Sequence, residues 1–152
     1  MSLSLFLATA VLALLMAVLP APAGWHGLRE ASVVLAFLLA GSTARASGLV
    51  LALVFGLLLD CLHHLPLGTI AVPGIMLAAL IALLHSALQR RPLTVQASVI
   101  MLLALGHALL MHAWLEHVAL PTASEVAWMG AILAALLWWP LAMVSAPPDT
   151  AL

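Results

Sequence analysis

Long apolar runs, parted only by short breaks of proline, glycine and arginine, fill the sequence between residues 3 and 145. A chain built this way cannot cover itself in water. Its residues are 66% hydrophobic and 6% charged, whereas a soluble domain carries about a quarter of its residues as charges. Helices in lipid satisfy their own backbone hydrogen bonds and need no such cover.

A bilayer-spanning helix takes roughly 17–25 mostly apolar residues. Runs near that length occupy residues 3–19, 31–44, 46–65, 67–88, 94–118 and 124–145. The second is short. It must tilt, borrow Gly27 and Leu28, or pass through locally thinned lipid. Pro66 closes the third run, because the residue before a proline is pushed out of helical geometry, and Pro73-Gly74 is a place for the fourth to bend. The expected fold class is all-α: a polytopic integral membrane helical bundle of six transmembrane helices, five if the second run fails to cross, forming a single domain over residues 1–152. The first run admits another reading. "APA" before Gly24 resembles a signal-peptidase site, but "MSLS" lacks a basic residue and prolines crowd the cleavage point, so a retained helix is expected.

The arginines orient the bundle, since cytoplasmic loops carry the positive excess. With both termini in the cytoplasm, Arg45, Arg90 and Arg91 fall inside and Arg29 alone falls outside. Trp25, Trp114 and Trp128 then lie at the outer interface, where amphipathic rings settle. Trp138 and Trp139 mark the end of the last run.

Ala40, Ala44, Gly48, Ala52, Gly56 and Asp60 recur every four residues. From Gly48 onward they share one helix face, and small residues let helices approach closely in lipid. The face is either an intramolecular seam or a docking groove for another membrane protein. At its end stands the aspartate of "GLLLDCLHHLPLG". Asp60 lies roughly 21 Å along the third helix at 1.5 Å per residue, near the outer edge of the hydrocarbon, which weakens a role in proton relay. There its carboxylate faces the negative end of the helix dipole and needs compensation. An Arg29–Asp60 pair is expected, tying the start of the second helix to the end of the third.

Other polar groups gather at the same level: His26, His63, His64, and the stripe Ala104, Ala108, His112 and Glu116 with His117. Histidine and carboxylate suit zinc, yet "HAWLEH" lacks the metalloprotease spacing, and His112–Glu116 reads as an ordinary i,i+4 pair. His85 and His107 read as polar helix–helix contacts. Cys61 reads as a small apolar filler. The formal charge of −1 argues against nucleic acid. No nucleophile elbow or phosphate loop is present, and no ion-coupling acid lies deep in a span. Neither a catalytic residue, a cofactor nor a metal site is expected. The chain reads as a non-enzymatic binding protein.

Taken together, "GLLLDCLHHLPLG" and the long apolar helix after it resemble the central signature of the MreD family of bacterial rod shape-determining membrane proteins. The residues that carry the likeness are Gly56, Asp60, Leu67 and Gly68. Pro20 after the first run, Arg29 before the second, and Trp139-Pro140 in the last extend it along the chain. The sequence departs from the pattern at Glu30, where the family often has proline, and in the tail "SAPPDTAL", which lacks the usual basic residues. The resemblance implies a scaffold of the cell-elongation machinery in the bacterial inner membrane. It binds MreC, connects through it to RodA and its partner transpeptidase, and reaches MreB indirectly. On this reading Arg29, Gly48, Ala52, Gly56, Asp60, Leu67, Gly68, Trp139 and Pro140 are structural or partner-contact residues, and membrane lipid surrounds them. Asp60 serves either as a folding lock or as a partner contact. The family is similar in fold to the substrate-binding subunits of energy-coupling-factor vitamin transporters. A small-molecule binding subunit of an importer, with its pocket among the outer histidines and tryptophans, is therefore the alternative.

Overall fold

The computed structural model describes residues 3–19, 26–43, 45–117 and 124–145. They form α1 (Leu3–Val18), α2 (His26–Gly41), α3 (Arg45–Leu62), α4 (Ala71–Leu88), α5 (Leu93–His117) and α6 (Ser124–Ser145). The protein is all-α, and no strand occurs among the described residues. Among the described residues two helices, α4 with 18 residues and α5 with 25, are long and apolar enough to cross a membrane by length and composition.

The run expected to be marginal proves central. α2 packs against α1, α3, α4 and α6, and Ala36, Phe37, Leu38 and Ala40 are 0% exposed. It begins five residues before the apolar run, taking in His26 through Glu30, because charged side chains at a helix end do not break the helix. It stops at Gly41, ahead of the expected 44. There the hydroxyls of Ser42 and Thr43 donate to the carbonyls of Leu39 and Ala40 and divert the chain into a turn, a known habit of these side chains.

Rings from four helices meet around it. Phe6 of α1 and Phe37 of α2 both stand edge-on to Phe55 of α3, with centroids 6.4 and 5.3 Å away. His107 of α5 lies 6.2 Å from the Phe37 ring. Edge-on aromatic pairs contribute about 0.5–1.5 kcal/mol each beyond their burial.

Close backbone approach sets the helix spacing. A side chain at Gly74 would strike the Phe37 ring, and one at Gly41 would strike the Ala78 backbone. The two contacts step four residues along both helices, so α2 and α4 run parallel. Gly48 abuts the Ala40 carbonyl, and Gly56 abuts the backbone of Ala71. Ala52, between them, is 0% exposed. The Gly48–Ala52–Gly56 face is therefore the intramolecular seam. It is filled by this chain's own α2 and α4 and is no open groove for a partner helix.

The outward faces are mainly apolar. Leu7 and Val11 of α1, Val50 and Leu58 of α3, Leu83 of α4, Leu102 of α5 and Leu136 of α6 are all exposed. Cys61 is exposed too, and so fills no gap.

Replacing Gly56 with leucine should overpack a backbone contact and cost more than about 3 kcal/mol. Phe37→Ala should cost about 3–5 kcal/mol, and Cys61→Ser almost nothing. Thermal unfolding of the detergent-purified variants checks the order. A Gly56→Leu protein as stable as Cys61→Ser would contradict the seam.

Candidate functional site

The polar site of the structure is the turn between α3 and α4, built around Asp60. α3 ends three residues before the expected 65, and its last turn closes in a Schellman motif. The N–H of Leu65 donates to the Asp60 carbonyl at 2.9 Å, and the N–H of His64 to the Cys61 carbonyl at 3.2 Å. The motif needs a left-handed residue after the helix, usually glycine. His64 fills that place, with φ 53°.

The side chain of Asp60 does the opposite job. It is 0% exposed and reaches forward across the turn. Its Oδ1 accepts from the N–H of Ile70 at 2.6 Å, and its Oδ2 from the N–H of Gly68 at 2.8 Å. The N–H of Ala71 lies at 3.4 Å from the same Oδ2. These are the amides at the start of α4, which otherwise have no helical partner. The carboxylate also sits at the positive end of the α4 dipole. One residue thus closes α3 through its carbonyl and opens α4 through its carboxylate. The fourth helix consequently starts at Ala71, not at 67, after a turn over residues 67–70. Pro73 falls in its first turn, where a missing N–H costs nothing, so no bend is needed there. Gly68 allows the turn with φ 97°, and Leu67 is 73% exposed.

Arg29 meets His63, not Asp60. The Nδ1–H of His63 donates to the Leu59 carbonyl at 2.8 Å, which leaves Nε2 to accept from Nη2 of Arg29. The start of α2 is tied to the end of α3 as expected, but through the imidazole. Amides had already satisfied the carboxylate.

The remaining polar residues scatter. His112 and Glu116 form the expected i,i+4 contact at 3.4 Å, and His117 lies near the Trp114 ring. His107 is the expected interhelical contact, whereas His85 instead bonds Gln89, just past the end of its own helix, at 2.9 Å. Among the described residues no three His, Cys, Asp or Glu side chains gather as a metal site would require. Pro140 lies inside α6 and is exposed. The side chains of Trp25, His26, Arg45, Trp128 and Trp139 lie outside the described residues.

Ile70, Ala71, Phe37 and Gly41 escaped the sequence reading, as did the part that the Gly68 amide plays. The amides of Gly68, Ile70 and Ala71 carry no side-chain signature, though an aspartate followed by a proline-and-glycine turn into an apolar helix was the available signal. Phe37 and Gly41 were legible only as members of an apolar run. No family model matches the chain, and neither does any curated protein or any solved structure.

Asp60→Ala leaves several amides unpaired and should cost about 3 kcal/mol or more. Asp60→Asn keeps one acceptor oxygen and should cost about 1–2 kcal/mol. His64→Gly should stabilise by about 0.5–1 kcal/mol, because it relieves the left-handed backbone. Melting curves in one detergent rank all three. Indifference to Asp60→Ala would remove the carboxylate from its place in the fold.

Proposed function

We propose that the protein is a non-enzymatic scaffold of the MreD kind. On this reading it is a six-span bundle of the bacterial inner membrane that binds MreC and, through it, RodA and its partner transpeptidase. The observation that carries the reading is the junction of Gly56, Asp60 and Gly68. Three of the four residues that carry the resemblance form one physical device: Gly56 admits the Ala71 backbone, and Asp60 accepts from Gly68. A motif spent on joining two helices belongs to a protein whose work is to hold a shape.

The exterior supports the membrane setting. In water, leucine and valine on the outer faces of α1, α3, α4, α5 and α6 would form an apolar patch far beyond the few hundred Å² that soluble monomers tolerate. In lipid that surface costs nothing. Spans shorter than the hydrocarbon are accommodated by local thinning. With the Gly48–Ala52–Gly56 face consumed internally, MreC is met on these exposed faces.

The importer-subunit reading would need a polar pocket near the histidines. Affinity purification of the tagged protein in mild detergent, with mass spectrometry, tests the choice. Recovery of MreC and RodA is expected. Recovery of a transmembrane coupling subunit with two ATPases would replace the scaffold by the importer subunit.

A further inference from the structure

The loop between α4 and α5 lies at the end opposite Asp60, and there the bundle thins. No residue from 82 to 99 is buried. Ile81 is the last buried residue of α4 and Ile100 the first of α5. α4 and α5 thus continue past the buried core as a partly exposed hairpin, and Arg90 and Arg91 stand exposed at its tip. Among the described residues no carboxylate lies within ion-pair distance of either arginine.

Beside the hairpin lies a crevice of about 390 Å³ between α5 and α6. Ala97, Ser98 and Ala135 leave the space with their short side chains, and Met101, Leu136 and Pro140 form its rims. The one hydroxyl in it is spent on its own helix, since Ser98 donates to the Thr94 carbonyl at 2.9 Å. The interior is therefore apolar. Along α5 the crevice runs from about 9 Å to about 15 Å beyond Arg91, at 1.5 Å per residue. With the arginines among the headgroups, it begins just inside the hydrocarbon and reaches toward the middle of that roughly 30 Å layer.

We infer that the arginine tip and the α5–α6 crevice together form a binding site for an anionic phospholipid of the cytoplasmic leaflet. The phosphate sits at Arg90 and Arg91, and one acyl chain lies in the crevice. The argument is charge complementarity joined to depth. Two exposed cations, with no carboxylate partner among the described residues, stand about 9 Å along the chain from an apolar crevice. Arginine matches phosphate with a planar fork of donors, and each basic residue near the surface favours anionic lipid. The inference rests on the membrane reading and orientation above.

The test uses the full chain reconstituted in phosphatidylcholine vesicles that contain a minor fraction of phosphatidylglycerol. Resistance to alkaline extraction is scored first in pure phosphatidylcholine, and the lipid retained through gentle detergent extraction is then quantified by mass spectrometry. Two arginines predict about thirty-fold enrichment of phosphatidylglycerol. Arg90→Gln with Arg91→Gln should abolish the enrichment, and Arg90→Lys with Arg91→Lys should keep most of it. Ala97→Leu, which fills the slot, should lower retention of both lipids. Integration without enrichment, or enrichment that survives the glutamine pair, overturns this inference alone. Failure to integrate in neutral lipid overturns the membrane reading and the inference with it.

Discussion

The carboxylate of Asp60 holds the amides that open α4 while its own carbonyl closes α3, and the rest of the bundle depends on those two sets of hydrogen bonds across one turn. A buried charge is costly in any apolar setting unless hydrogen bonds replace the water it has lost. Here the replacement comes from backbone N–H groups, which are themselves costly when buried without a partner. Two liabilities cancel. No counter-charge is required, which is why Arg29 is left to His63.

From that turn the packing follows. Gly56 stands one helical turn before Asp60, and its lack of a side chain brings the Ala71 backbone close enough for the carboxylate to reach. Once α3 and α4 are joined there, Gly41 and Gly74 bring α4 against α2, and Phe37 closes the space with Phe55 and His107. On the proposed membrane reading no hydrophobic force presses the helices together, so close contact and interhelical hydrogen bonding must do so. The small residues along this seam are how the chain achieves both. The outer faces, free of that demand, carry leucine and valine.

The sequence made the helices legible because apolar length is a strong signal and the breaks carry proline, glycine or arginine. The α5 and α6 runs match their helices to within a residue at each end. It misplaced the ends of α2, α3 and α4 for one reason: hydropathy does not report backbone hydrogen bonds. His64 in a left-handed conformation and the amides of Gly68 and Ile70 are invisible to side-chain pattern. The four-residue period from Gly48 to Asp60 correctly marked a close-packed face, but period alone could not say whose backbone would lie on it. Arg29 was correctly drawn to the end of α3. Its partner was missed because the sequence offered Asp60 as a bare charge, with no sign that the turn would satisfy it.

Hydrogen exchange at single amides in the detergent-solubilised wild-type protein tests the central claim most directly. If the Asp60 carboxylate holds the start of α4, the N–H groups of Gly68 and Ile70 exchange as slowly as those inside α3, although they lie outside any helix. Exchange at the rate of an open loop would contradict the account and leave Asp60 without the partners the fold depends on.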